Sequence, residues 1–223
     1  MPELPAAVLW DMDGTLIDTE PYWMAAETEL VQAYSGVWTA QDAVGMIGSS
    51  MEVCAAVLQA RGVPLDADEI AQALNTRVGA AVAAGIPWKP GALALLTELN
   101  GAGVPQALVT SSHAVLAAPF AETVGLFDVV VAGDHVTNSK PHPEPYLRAA
   151  ALLGVDPTVC VAVEDSPSGV ASALAAGARV VALASPSAVP DAPELSRVSG
   201  LTDLDVRVLA QVGAGHVLDL RAA

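Results

Sequence analysis

Five short apolar runs, each stopping abruptly at polar residues, constrain this chain more than any other feature. Ala6-Ala7-Val8-Leu9-Trp10 stops at Asp11-Met12-Asp13-Gly14. Gln106-Ala107-Leu108-Val109 stops at Thr110-Ser111-Ser112, and Val129-Val130-Val131-Ala132 at Gly133-Asp134. Val159-Cys160-Val161-Ala162-Val163 stops at Glu164-Asp165-Ser166, and Val180-Val181-Ala182-Leu183 at Ala184-Ser185-Pro186. Runs this short and continuous read as strands buried on both faces. Between them lie helical stretches over Ala92–Leu99, Ala114–Thr123, Pro143–Leu153 and Ser168–Ala176. Strands alternating with helices predict βαβ units, hence an α/β protein with a parallel, Rossmann-like sheet covered on both faces. Ligands of such sheets bind beyond the carboxyl ends of the strands, which is where the polar clusters fall.

The segment from Asp18 to Pro87 breaks the pattern. It carries helical periodicity over Tyr22–Tyr34, Met51–Arg61 and Ala67–Ala84 and few strand-like runs. It is too long for a crossover connection, which predicts an inserted helical cap domain over 18–87. The Rossmann-like core is then discontinuous, 1–17 with 88–223. Leu16 to Glu20 would lead out, and Pro87-Trp88-Lys89-Pro90-Gly91 back. Beyond Ser185, Pro186, Pro190 and Pro193 predict a loop.

Composition narrows the function. The net charge of -16 repels nucleic acid and anionic lipid, so neither is expected as a partner. It also repels a phosphorylated ligand, so any phosphate site needs local positive potential. Aromatics are only 4% of residues, so the core must be built from Ala, Val and Leu. Cys54 and Cys160 match no metal-binding spacing and are expected to be buried free thiols. No basic segment followed by an apolar stretch opens the sequence, and no apolar run is long enough to span a bilayer. A cytoplasmic location is the expectation.

Four segments carry chemistry. Asp11-Met12-Asp13-Gly14-Thr15 places two carboxylates at the end of a buried strand, where both ionise readily only beside a cation. An Asp-rich turn capping a helix is the bland alternative; a calcium loop lacks its ligand spacing and terminal Glu. Thr110-Ser111-Ser112 offers hydroxyls and backbone N–H groups for a phosphate, or simply a helix cap. Lys140 is one of two lysines and stands in the rigid run Ser139-Lys140-Pro141-His142-Pro143-Glu144-Pro145. It suits a phosphoryl oxygen as a compact cation, though alone it would read as a surface lysine. His142 reads as structural. Glu164 and Asp165 add carboxylates suited to Mg²⁺, unless Asp165 or Ser166 merely caps the next helix.

In this order the four segments resemble the haloacid dehalogenase superfamily of phosphotransferases. Asp11 to Thr15 looks like its D-x-D-G-T signature, Thr110 like its Ser/Thr motif, Lys140 like its basic motif and Glu164-Asp165 like its acidic motif. Ser166-Pro167-Ser168-Gly169 extends the match. Asp18-Thr19-Glu20-Pro21 resembles the start of the type 1 cap of sugar-phosphate phosphatases and β-phosphoglucomutases. The resemblance implies a Mg²⁺-dependent phosphatase acting on a small phosphorylated metabolite. It implies Asp11 as nucleophile and Asp13 as general acid and base. Mg²⁺ would sit on Asp11, the Asp13 carbonyl and Asp165, with Glu164 in or near its shell. Thr110, Ser111 and Lys140 would hold phosphoryl oxygens under a closing cap. Glu20, Gly48 and Ser112 are the residues expected to face the substrate.

Relatives differ in what they require. Haloacid dehalogenases proper lack the second Asp that is Asp13 here. Phosphonoacetaldehyde hydrolases need a cap lysine, and no lysine lies between Asp18 and Pro87. β-Phosphoglucomutases carry a His early in the first cap helix, where this chain has Trp23, so phosphoryl transfer to a second site is the lesser alternative. A receiver domain, or a phosphate-binding regulator without turnover, is the non-enzyme alternative.

Overall fold

The structure, a computed structural model, describes residues 4–47, 49–185 and 188–221. The chain divides into two compact units, Met1–Asp18 with Trp88–Ala223, and Thr19–Pro87.

The first unit is built on a six-stranded, wholly parallel sheet. Its strands are β1 (Val8–Trp10), β2 (Gln106–Val109), β3 (Val129–Val131), β4 (Val161–Glu164), β5 (Arg179–Leu183) and β6 (Leu195–Val198). Their order is β3-β2-β1-β4-β5-β6, so β1 lies at the centre between β2 and β4. The order reverses at β1, and in open sheets of this kind ligands bind at such a switch point, outside the carboxyl ends of the strands. The five apolar runs are strands β1 to β5. The run beginning at Val159 starts two residues later as a strand, because Pro157–Val159 forms a 3₁₀ turn.

Alternation along each strand sorts side chains between faces. Ala7, Leu9, Ala107, Val109, Ala162, Val180 and Ala182 pack with Tyr146, Ala149, Val170 and Ala173. The last four lie on α7 (Glu144–Leu153) and α8 (Pro167–Ala175), whose alanines let the helices approach the sheet closely. Packed against β4 and β5 there is also α9 (Val206–Gly213), beside α5 (Ala92–Gly101); α6 (Ala114–Val124) meets β3. Both β6 and α9 lie beyond the prolines that mark a loop, in a part of the tail whose structure the sequence does not reveal. Among the described residues, Pro190 and Pro193 do precede the strand, whose edge is closed by the C-terminal segment: Arg197 N donates to the Leu218 carbonyl at 2.8 Å. Pro186 lies outside the described residues.

The insert leaves and returns side by side. After Asp13 the chain turns at Gly14, whose φ of +86° disfavours any side chain. Ile17 then pairs antiparallel with Trp88, and Lys89 N donates to the Leu16 carbonyl at 2.9 Å.

The second unit is helical: α1 (Glu20–Ala33), α2 (Ala40–Val44), α3 (Met51–Ala60) and α4 (Ala67–Ala84). Reciprocal capping boxes start α2 (Thr39 with Asp42) and α4 (Asp66 with Glu69). In α1 the face set by Ala26, Leu30 and Val31 also buries Glu27, 4% exposed. Its Oε1 accepts from the Cys54 thiol at 3.6 Å, and among the described residues Oε2 has no hydrogen-bond partner. Burial raises the Glu27 carboxyl from 4.5 to about 7; the Cys54 bond pulls the other way too weakly to prevent it. Burial, reinforced by Glu27, pushes the Cys54 thiol up to about 12. Both cysteines are buried and free.

A carboxyl with a raised folded pKa stabilises fully below its unfolded value and loses that contribution as pH rises through the folded one. Glu27 therefore costs about 3 kcal/mol of stability between pH 4.5 and pH 8. Glu27→Gln is expected to match wild type near pH 4.5 and to exceed it by roughly that amount at pH 8. Urea unfolding at both pH values checks this; an equal difference at both would count against it.

Candidate active site

All four chemistry-bearing segments of the first unit meet at the carboxyl ends of β1, β2 and β4, at the switch point. Asp11 follows β1, and its N–H extends the pairing to the Val163 carbonyl at 3.1 Å. Thr110 follows β2, Glu164 ends β4, and Lys140 comes from the loop between β3 and α7. Asp11, Thr110, Lys140, Glu164 and Asp165 are all buried.

Lys140 is the hub. Its ammonium donates to Asp11 Oδ1 at 2.7 Å, Glu164 Oε1 at 2.6 Å and the Val109 carbonyl at 2.9 Å. Those three bonds use all its N–H groups. The surface-lysine alternative is excluded, since the side chain is 3% exposed. Burial acts to lower the Lys140 pKa, but Asp11 and Glu164 outweigh it and hold the group charged, above its ordinary range.

Glu164, itself fully buried, is gripped at both oxygens. Oε1 accepts from Lys140 and from the Tyr146 hydroxyl at 2.6 Å. Oε2 accepts from the backbone N–H groups of Asp165 and Ser166 and from the Ser166 hydroxyl. Gly169 passes so close that a Cβ there would overlap the Glu164 carboxylate. Ser166 caps α8 by accepting from Gly169 N at 3.0 Å, which leaves Asp165 free of the capping role. Asp165 instead accepts from Thr15 Oγ1 at 3.2 Å, and a Cβ on Gly14 would run into its carboxylate. The first and fourth segments thus interlock.

Asp11, Glu164 and Asp165 each place a carboxylate oxygen within 4.8 Å of the others. Burial first, then Glu164, raises the Asp11 pKa well above its usual value, against the pull of Lys140. Burial and Glu164 likewise lift Asp165 to about 7, against Thr15, Lys140 and Ser185. With all three carboxyls ionised against one ammonium, two negative charges would be left over; a divalent cation would cancel both and favour that ionisation. The donors are hard oxygens, as Mg²⁺ requires. The residues fit the ion.

Asp13 stands apart from that trio. Its Oδ2 accepts from Ser112 Oγ at 2.6 Å and Thr110 Oγ1 at 3.3 Å, and Thr110 Oγ1 in turn accepts from Ser112 N at 3.0 Å. Ser112, expected to face the substrate, is buried and turned onto Asp13. Ser111 is exposed, and its carbonyl lies against Gly133 so tightly that a Cβ there would overlap it. His142 accepts from Glu144 N at 3.2 Å, and its carbonyl receives Ser172, a structural role. Of the residues expected in the cap, Glu20 opens α1, and Gly48 lies outside the described residues.

Two contributors escape sequence reasoning. Thr15 was visible only as part of a motif. Tyr146 reads as one more apolar position of α7, yet its phenol is fully buried with a carboxylate acceptor. Burial, then Glu164 and Asp11, hold its pKa well above the ordinary value, so it stays a donor.

Fold and site together define an α/β enzyme whose reactive groups are carried on the ends of parallel strands. The chain belongs to the haloacid dehalogenase-like hydrolases, a family that matches residues 5–177. Hexitol phosphatase A of Escherichia coli (strain K12) is 35% identical over 207 residues, covering 92% of this chain and 91% of that protein. Fructose-1-phosphate phosphatase YqaB of the same organism is 32% identical over 181 residues, covering 79% and 95%. The crystal structure of CbbY from Rhodobacter sphaeroides in complex with phosphate has a TM-score of 0.77 at 27% identity, covering 87% of this chain and 93% of that one. The family and these relatives make the chain a phosphoric monoester hydrolase and set aside the receiver and regulator readings. Among the described residues no helix is long and apolar enough to cross a membrane.

Proposed function

We propose that this enzyme hydrolyses a small sugar or polyol monophosphate through an aspartyl-phosphate on Asp11, with Mg²⁺ as cofactor. The observation that carries the reading is the convergence of Asp11, Glu164 and Asp165 with the single ammonium of Lys140. An Asp11 oxygen attacks phosphorus, the P–O bond to the alcohol breaks, and Asp13 gives the leaving oxygen its proton. Water then attacks phosphorus, Asp13 takes the proton, and the P–O bond to Asp11 breaks to release inorganic phosphate. Lys140, Thr110 and the Ser111 N–H hold the phosphoryl oxygens. Asp11, the Asp13 carbonyl and Asp165 would hold Mg²⁺, with Glu164 in or near the shell. The ion supplies charge that lets a carboxylate approach a phosphate dianion.

Two features support an uncharged remainder on the substrate. The only cap cations, Arg61 and Arg77, are engaged within the cap. Arg61 forks onto Asp42 at 2.5 and 3.0 Å and lies over the Trp38 ring; Arg77 donates to the Ala73 carbonyl at 3.0 Å and faces Glu29 at 3.8 Å. Two phosphatases similar to this chain are named for hexitols and for fructose 1-phosphate.

Phosphate release from a panel of hexitol, hexose, glycolyl and bisphosphate esters tests this. The expected order places sugar and polyol monophosphates first, with activity lost on chelation and restored by Mg²⁺. Preference for a bisphosphate would refute the substrate class, and full activity in chelator would refute the cofactor.

A further inference from the structure

We propose that Tyr146 is a positioning residue for phosphoryl transfer, fixing Glu164 so that Lys140 can exchange an acceptor without leaving its place. The inference rests on the site reading given under Proposed function. Every N–H of Lys140 is committed, to Asp11, Glu164 and the Val109 carbonyl. To take a phosphoryl oxygen, Lys140 must release one of them. Asp11 is the partner that changes chemically, since its carboxylate bonds to phosphorus, so the Asp11 bond is the one exchanged. Glu164 and the Val109 carbonyl then remain as anchors.

An anchor must not follow the lysine. Glu164 Oε2 is tied to the backbone, whereas Oε1 accepts, among the described residues, from Lys140 and the Tyr146 hydroxyl alone. The phenol shares the load at that oxygen. Its ring also lies beneath the ammonium, with Nζ 5.2 Å from the centroid, close enough for a cation–π attraction. Packing alone does not call for the hydroxyl. The ring belongs to the same buried apolar cluster as Leu9, Val109, Ala149 and Ala162, and phenylalanine would fill its space there. Removing the hydroxyl leaves Oε1 dependent on Lys140, so lysine and carboxylate move together when substrate arrives.

Tyr146→Phe is therefore expected to lower kcat about 10-fold or more, the scale of a lost outer partner of a reactive carboxylate, with KM changed little. The deciding measurement is a double-mutant cycle with Glu164→Gln. Because the hydroxyl acts through Glu164, Tyr146→Phe should cost almost nothing further in the Glu164→Gln background. Calorimetric titration with Mg²⁺ alone should also show weaker binding by Tyr146→Phe than by wild type. Full activity and wild-type Mg²⁺ affinity in Tyr146→Phe would overturn the proposal, as would losses that simply multiply in the double variant. Those results would leave the site reading intact if Lys140→Met is inactive. A wild-type enzyme that releases no phosphate, or an active Lys140→Met, would sink the site reading itself.

Discussion

Asp11→Asn should reduce phosphate release by at least about 10⁴-fold, the scale expected when a covalent nucleophile is removed, while the protein stays folded. The amide oxygen can still accept from Lys140, so the geometry at the 2.7 Å contact is retained. What disappears is the anionic oxygen that forms the acyl phosphate. The fold is not expected to suffer. Burial and the charges of Glu164 and Asp165 all act against the ionised Asp11, with Lys140 alone opposing them. Removing that charge relieves the carboxylates while leaving Lys140 a counter-ion in Glu164. Steady-state release and thermal unfolding, measured side by side, check both halves. Residual activity above a few per cent would rule out Asp11 as the attacking group.

Lys140→Met should produce a different signature, because it damages activity and stability together. Loss of the cation that meets the phosphoryl oxygens is expected to cost at least about 10²–10³ in kcat, the range for removing one preorganised charge-stabilising group. The substitution also leaves Asp11 and Glu164 buried without their ammonium. Breaking one side of a buried ion pair costs about 3–5 kcal/mol. The deficit should depend on pH. With Lys140 gone, nothing opposes the burial that raises Asp11, so its folded pKa climbs further. A carboxyl raised in this way stabilises below its ordinary 3.8 and loses that contribution as pH rises through the folded value. The variant should therefore approach wild type in acid and fall furthest behind at neutral pH. Urea unfolding at pH 5 and pH 7.5 without metal is the measurement. A constant deficit would show that Lys140 stabilises by packing rather than by charge.

The sheet and its chemistry were legible because strand ends and site residues are the same places in the sequence. A run such as Val8-Leu9-Trp10 has no exposed face, so hydrophobicity marks it, and the sudden Asp11 marks its end. The edge strand β6 offers no such contrast. It mixes Ser196 and Arg197 with Leu195 and Val198, and it follows prolines. The five-residue α2 is too short to show a period. Partnerships were harder still. Glu27 and Glu29 look alike in sequence, yet the face set by Leu30 and Val31 buries the first, while the second is exposed beside Arg77. Ser112 could be placed at a strand end but not aimed. Its turn onto Asp13 follows from the loop path, which depends on Gly133 closing against the Ser111 carbonyl.

The pairing of Ile17 with Trp88 has a topological consequence. Seventy residues depart and come back through one pair of adjacent backbones, so the sheet receives a closed bracket whatever the bracket contains. A short turn spliced between those positions would satisfy the same boundary condition, and the entropy of closing the bracket grows only logarithmically with its contents. The parallel sheet can thus be assembled, shortened or re-equipped at this point without altering the register of a single strand.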